Sequence, residues 1–589
     1  MRYTDFRVAL LLATAAVGLY AGSISFDFTG WDDPLYVPEN PLIRTLNLNS
    51  LETIFSHFYE ANYFPLKLVL YSLVYAIFDA APWAYHALNV LLHALCTFLV
   101  FRILRDLSVS RAGAALGAAI FLAHPVQVEV VAWVSQTKTL LATAFGLASF
   151  RMLFRFRERR PAGIGNYAAS LLLFACALLS KPQAIAFPGI LFCLERAMAN
   201  RSRRLPLANW FPFGVLAIGG AWVSILAQSS VGAVKAYGPM GVLGNALQSL
   251  VILLHYLKQV LFPVDLSVAY ELSPLLSLAE PRVFGAALLL AAMVAGAWWA
   301  RRSAARPWHA LGAFVAPLIP VLGWVPLNVP MADRYLYPAM IAVAWLVGGA
   351  SEKLSLKAGA RAALWVAPVL LALLTLDRMP MWRDGAALWD AEVRDHPASA
   401  HAWIGRGSYR FQEGEFEGAE SDFQKAVGLD DSEHAAWTNL GLALNVQGKP
   451  KEAVLAWRRA LAIAPTADWP RLLIARDLGR RGEIEEARIL IEAVIGERPD
   501  FAMAYLYRAA LRQRTGDAAG AEADLLRAAT LDVFLTEAQE ALGRMREARG
   551  DLRGAREAYT RFLLYWGGDL AKADAVRRRI EDLDRRPGE

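Results

Sequence analysis

The chain changes its hydrophobic pattern once. Up to Leu376 long apolar runs alternate with short charged loops, and beyond Asp377 apolar positions recur at helical spacing among Ala, Glu and Arg. The first pattern predicts a polytopic helical bundle, and the second a soluble helical domain. Eleven spans are predicted, at 8–26, 84–104, 112–124, 140–154, 163–179, 183–195, 208–227, 283–300, 310–323, 336–350 and 361–376. Several are shorter than the roughly 20 residues of a straight crossing, so their ends are loose. Two more apolar helices are assigned to the membrane interface. One, 65–79, follows Asn62-Tyr63-Phe64, and the other, 245–262, carries His255, Lys258 and Gln259.

The second half repeats itself. Gly414, Gly448, Gly482, Gly516 and Gly550 are 34 residues apart, and Ala419, Ala453, Ala487, Ala521 and Ala555 keep the same period. A third register holds Phe423, Trp457, Ile491, Leu525 and Tyr559. This is the tetratricopeptide pattern: glycine ends the first helix of a pair, and the small alanine lets the second pack closely. The expected fold is all-α. A membrane domain at 1–376 includes an outer loop at 27–83, and a linker at 377–399 leads to five repeats at 400–569 with a capping helix and tail at 570–589. Such an array suits capture of an extended protein segment or docking of a partner.

Composition agrees with two solvents: 56% of the 589 residues are hydrophobic and 19% charged. The net charge is only +6, and the basic residues of the first half cluster in short loops, the signature of membrane topology and not of nucleic-acid binding. Placing the basic loops 102–111, 151–160, 196–204, 301–306 and 353–361 inside puts the N-terminus in the cytoplasm, with the first loop and the repeats outside. The first apolar run lacks a small-residue cleavage site and is read as an uncleaved span. Cys96, Cys176 and Cys193 lie in apolar runs and read as buried hydrophobes.

The candidate chemistry gathers at the outer ends of these spans. Trp31-Asp32-Asp33 offers two adjacent carboxylates able to act as general base, metal ligand or binder of sugar hydroxyls. Asn62 and Tyr63 face the same compartment. His86, Asn89 and His93 share a helix face, at a spacing suited to polar packing between helices or to a metal. His124 and Glu129, followed by Trp133 and Lys138, suit a sugar phosphate, as ionisable groups at membrane depth are costly. Lys181 and the segment Asn328 to Pro338, with Arg334 and Tyr335, bring further cations to that face. Positive charge there opposes the topological rule, and a lipid phosphate answers it.

In this order the motifs resemble the GT-C superfamily of polyprenyl-phosphate-sugar-dependent glycosyltransferases. More narrowly they resemble the membrane-plus-tetratricopeptide protein O-mannosyltransferases and their bacterial relatives. The matching residues are Trp31-Asp32-Asp33, Asn62 to Leu66, His86 with Asn89 and His93, His124-Pro125 through Glu129 to Trp133-Val134-Ser135, Leu179 to Pro182, and Asp333-Arg334-Tyr335-Leu336-Tyr337. The resemblance implies that Asp32 and Asp33 bind and deprotonate the acceptor, with Trp31, Asn62 and Tyr63 beside it. It implies a donor phosphate held by Arg334 first, then Lys138 or Lys181, with Glu129, His124 and Tyr335 completing the donor site. One departure stands out: the family pattern has an acid after the basic residue, and here Thr139 follows Lys138.

The expected partners are a polyprenyl-phosphate-linked sugar, a protein acceptor held by the repeats, and membrane lipids, with no nucleic acid. No cofactor is expected; a divalent metal at Asp32 and Asp33 is the alternative to proton abstraction alone. The expected setting is a bacterial inner membrane. Two rivals remain open: a glycosyltransferase acting on lipid or glycan, and a non-catalytic scaffold assembling an envelope complex. A transporter fits poorly, as the chain shows no inverted repeat or midplane charge cluster.

Overall fold

A computed structural model describes residues 3–60, 62–159, 163–197, 205–229, 241–271, 280–300, 306–323, 331–353 and 362–585. Much of the basic loops 196–204, 301–306 and 353–361, and Asn328 to Pro330 of the arginine motif, lie outside the described residues. The described chain is α-helical, with one isolated β-bridge between Tyr59 and Asn62. It divides into two compact units. The first holds Met1–Thr29 with Leu46–Leu388, and the second holds Gly30–Thr45 with Trp389–Glu589.

In the first unit, five described helices are long and apolar enough to cross a membrane, or six with one bent pair: Tyr3–Ser25, Pro82–Asp106, Val134–Glu158, Leu207–Ser229, Pro281–Trp299, and the pair Arg111–Ala123 with Pro125–Ala132. The expected span 112–124 is thus the first limb of a helix bent by 54°. Pro125 causes the bend, since it lacks an amide donor and cannot continue the ladder. The apolar run 336–350 begins its helix only at Met340, after a 3-10 turn at Asp333–Tyr335. The interfacial candidates form helices Pro65–Phe78 and Gly241–Leu261.

Small residues set the central packing. A Cβ on Gly113 would strike the Gly348 carbonyl, and one on Gly117 the Ala344 carbonyl. Helices Arg111–Ala123 and Met340–Lys353 therefore cross backbone to backbone, the small-xxx-small solution to association in lipid. This crossing seats the two segments that follow and precede it, 125–139 and 331–339. Gly117→Leu is expected to lower the thermal midpoint in detergent, on the scale of about 1–3 kcal/mol for overpacking. An unchanged midpoint would mean that the crossing yields freely.

In the second unit the helix pairs are Ala400–Gln412 with Phe416–Leu429, His434–Val446 with Pro450–Ile463, Asp468–Arg481 with Ile484–Glu497, Ala502–Arg514 with Ala518–Leu531, and Thr536–Ala548 with Leu552–Tyr565. Helix Leu570–Arg585 follows. All five periodic glycines have φ between +77° and +88°, a conformation that favours glycine after a helix. The five periodic alanines are fully buried. A further register was missed in the sequence: Gly407, Gly441 and Gly543 make room for the rings of Phe423, Trp457 and Tyr559. The same position holds Ala475 and Ala509 where the large partner is Ile491 or Leu525. Residues 377–399 are not irregular throughout, since Gly385–Asp395 is a helix.

Candidate functional site

In the first unit the bent helix pair delivers Glu129, 1% exposed, to Arg334. The Arg334 guanidinium pairs with Glu129 Oε1 at 2.5 Å, and its backbone N–H donates to Oε2 at 2.9 Å. Both carboxylate oxygens are therefore engaged by one residue. The guanidinium also lies over the rings of Trp133 (5.6 Å) and Tyr335 (5.2 Å). Arginine presents five N–H donors in a planar fork, a geometry that suits a phosphate as it suits a carboxylate.

Lys181, just past helix Ile164–Ser180, donates from Nζ to Thr139 Oγ1 at 2.7 Å and lies 5.9 Å from the Tyr335 ring centre. Burial first, then repulsion from Lys138 and Arg334, holds its ammonium well below the ordinary lysine value, with Glu129 opposing. Lys138, Lys181, Arg334 and Glu129 thus form one electrostatic group. Thr139, the departure from the family pattern, supplies Lys181 with a neutral hydroxyl where an acid would have supplied a counter-charge. An anion should restore that charge. Affinity for an anion at this cluster, read with a phosphate monoester, is accordingly expected to weaken as pH rises through the depressed Lys181 value, and Lys181→Arg to remove that alkaline loss. A phosphate-monoester titration across pH with the same slope in both proteins would contradict this.

Asp333, adjacent to Arg334, is fully buried and faces another set of partners. It pairs with Arg378 at 3.1 Å and accepts from the Tyr270 hydroxyl at 2.7 Å. Burial, then Asp333 itself, pushes the Tyr270 phenol well above its usual range, so it keeps the proton it donates. This anchor fixes the turn that presents Arg334. Sequence reading passed over Asp333 as a site residue, as it did Arg378 and Tyr270; the signal was a carboxylate inside the quoted motif. Lys67 was missed too. It is fully buried, with its ammonium over the rings of Phe64 (5.1 Å) and Tyr71 (4.9 Å). Lys138 lies over the same Phe64 ring at 5.4 Å.

The histidine-rich helix face is used for bracing. Asn89 Nδ2 donates to the carbonyls of Val131 (3.3 Å) and Trp133 (2.9 Å), and Thr137 donates to its Oδ1 at 2.5 Å. The irregular turn carrying Trp133 to Lys138 is held this way. His93 meets the Tyr337 hydroxyl at 2.8 Å, and His86 meets the Asp27 carbonyl at 3.2 Å. His124 uses both ring nitrogens on backbone, the Val260 carbonyl at 3.1 Å and the Val126 N–H at 3.4 Å. Tyr63 donates to the Phe55 carbonyl at 2.9 Å, and Asn62 closes a turn with Tyr59; both are half-buried. Among the described residues, no three His, Cys, Asp or Glu side chains gather as a metal site.

The carboxylate pair falls in the second unit. Asp33 opens a short helix, Asp33–Tyr36, and is fully buried; Asp32 precedes it, half-exposed, and its carboxylate caps no backbone amide. Their segment is clamped to the repeat array at both ends. Gly30, at φ +66°, packs where a Cβ would lie 2.9 Å from the Tyr409 ring, and Trp31 meets Trp389 at 5.2 Å. Arg44 donates to the Gly567 carbonyl at 2.7 Å, the Trp566 carbonyl at 3.3 Å and the Pro38 carbonyl at 2.8 Å. A Cβ on Gly567 would collide with the Glu39 carbonyl. Gly567→Val is therefore expected to release residues 38–44 from the array. The readout is faster hydrogen exchange of that segment, with repeats 400–531 unchanged; unaltered exchange would contradict the clamp.

Comparison with known proteins begins with the repeats, which match the family model "Tetratricopeptide repeat" at residues 381–434, 414–468 and 472–532. The solenoid class is thereby established. Over the longer chain, similarity runs to protein O-mannosyl-transferases. The mouse (Mus musculus) protein O-mannosyl-transferase TMTC3 is 23% identical over 90% of this chain and 64% of its own length. The Caenorhabditis elegans protein O-mannosyl-transferase F38B6.6 is 23% identical over 73% of this chain and 64% of its own length. A shorter match is to Drosophila melanogaster protein O-mannosyl-transferase Tmtc2, 34% identical over 22% of this chain and 14% of that protein. The chain spans about three-fifths of the length of the first of these relatives.

Proposed function

We propose that the chain is an integral-membrane glycosyltransferase that moves a hexose, mannose in the first instance, from a polyprenyl-phosphate donor to a Ser or Thr hydroxyl of a translocated protein. The observation that carries this reading is the gathering of Arg334, Lys181 and Lys138 about Glu129 at apolar helix ends. The names of its relatives support the acceptor class. The cations take the donor phosphate, with Glu129 and Tyr335 fixing the geometry of Arg334. His124 supports the fold of this corner through its backbone bonds.

Asp32 is the base. Its half-exposed carboxylate can accept the hydroxyl proton as the acceptor oxygen attacks the anomeric carbon. The bond from that carbon to the phosphate oxygen breaks, the sugar inverts, and the phosphate leaves with its charge held by the cations. Asp33, buried at the start of helix Asp33–Tyr36, positions the loop, and Trp31, Asn62 and Tyr63 border the acceptor. The repeats, to which the carboxylate loop is fixed, hold the acceptor polypeptide. In this reading the loop and the repeats face outward from a bacterial inner membrane, with the N-terminus in the cytoplasm.

A glycoproteome comparison tests the reading. Cells lacking the chain should lose hexose from Ser- and Thr-containing peptides of exported proteins, and regain it on complementation. An unchanged peptide profile with altered glycolipid would assign transfer to a lipid acceptor instead.

A further inference from the structure

The arginines of the repeat array are mostly neutralised. Arg406 and Arg410 share Asp422 at 2.8 and 2.9 Å, and Arg508 and Arg512 share Asp524 at 2.7 and 2.9 Å. Arg471, Arg481, Arg498 and Arg546 also have carboxylate partners. Arg476, Arg480 and Arg514 depart from this rule, since among the described residues none of them pairs with a carboxylate. They are also neighbours. Arg480 and Arg514 hold the same position in consecutive repeats, 34 residues apart, and Arg514 donates to the Arg480 carbonyl at 3.4 Å. Arg476 lies one turn before Arg480, and both face the hydroxyl of Tyr507.

Helix dipoles explain part of this. Arg480 and Arg514 stand in the last turns of helices Asp468–Arg481 and Ala502–Arg514, where a cation is favoured. Arg458, Arg527, Arg553 and Arg578 also lack a carboxylate partner among the described residues, but the dipole does not explain Arg476, nor why three like charges gather on two adjacent helices. Trp469, two turns before Arg476 on the same helix face, is 47% exposed. An exposed aromatic on the helix face that carries uncompensated arginines, its ring against Phe501, suits a polypeptide better than a free anion.

We propose that Arg476, Arg480 and Arg514, with Tyr507 and Trp469, form a docking site for an acidic segment of polypeptide. The first helices of the third and fourth repeats pack on each other here, so one extended segment can reach both. The proposal rests on the reading of the repeats as the acceptor-holding element, and it gives that acceptor a chemistry: Asp or Glu residues near an apolar side chain.

The full-length protein in neutral detergent tests it by fluorescence anisotropy, with a labelled peptide carrying Glu residues and one Leu, against a counterpart with Gln for Glu. The Glu peptide should bind, with affinity falling as salt rises, and the Gln peptide should bind about tenfold more weakly. Arg480→Gln with Arg514→Gln should lose about tenfold for the Glu peptide with an unchanged thermal midpoint. Equal binding of both peptides, wild-type affinity in the double variant, or displacement of the peptide by phosphatidylglycerol vesicles would overturn the proposal. No sugar donor is present, so loss of peptide binding and loss of transfer are separate results.

Discussion

Arg334→Ala is expected to abolish transfer and to destabilise the protein together. The guanidinium pairs with Glu129 Oε1, while the Arg334 backbone N–H, which the substitution keeps, donates to Oε2. Removing the guanidinium leaves a carboxylate that is 1% exposed without its cation, and breaking such a buried pair costs about 3–5 kcal/mol. A second substitution separates the two effects. Glu129→Gln in the Arg334→Ala background removes the stranded charge, so the thermal midpoint should recover much of its loss. Transfer should remain absent, because the phosphate has still lost its arginine. Recovery of both would make Arg334 a structural residue alone. The measurement is a melting curve in detergent alongside the rate of hexose transfer.

Asp32→Asn carries the other large effect. General-base catalysis is worth about 100- to 10,000-fold, and the rate constant should fall by that order. Donor affinity should not change, since the residues proposed for the phosphate, Arg334, Lys138 and Lys181, belong to the other compact unit. Stability should not change either: Asp32 is half-exposed, and its side chain caps no helix amide. Asp33→Asn should differ, lowering the midpoint, because Asp33 is fully buried. A full rate with Asp32→Asn and a lost rate with Asp33→Asn would exchange their roles.

The repeats were legible because a single residue type reports a single conformation. A glycine every 34 residues is read as a helix end, and each has the positive φ that a helix end calls for. The apolar helices were legible in the same way, though not their breaks. Pro125 lies inside an otherwise apolar stretch, and only the structure shows a 54° bend there. At the candidate site Glu129, Lys138, Lys181 and Arg334 could each be singled out for charge at apolar helix ends. Their partners could not, because Arg334 and Glu129 are 205 residues apart and the crossing of Gly113 and Gly117 with Ala344 and Gly348 decides that they meet.

The carboxylate loop follows the first apolar helix in sequence. Its segment Gly30–Thr45 groups with the compact unit of the repeats, through Arg44 contacts to residues more than 500 positions away. No local pattern announces such a contact, since its partners are backbone carbonyls. Thr139 is the converse case. The departure was visible in the sequence, and its consequence, a lysine held by a hydroxyl, required the fold.

Reconstituted transfer is the most direct test. Purified protein in liposomes, a polyprenyl-phosphate hexose and a Ser/Thr-containing peptide should yield peptide heavier by one hexose, linked through the hydroxyl with inverted anomeric configuration. Asp32→Asn liposomes, with the same protein content, should yield none above background. Transfer from a nucleotide sugar in place of the lipid donor, or equal product from wild type and Asp32→Asn, would contradict the assignment of Asp32 and of the cationic cluster.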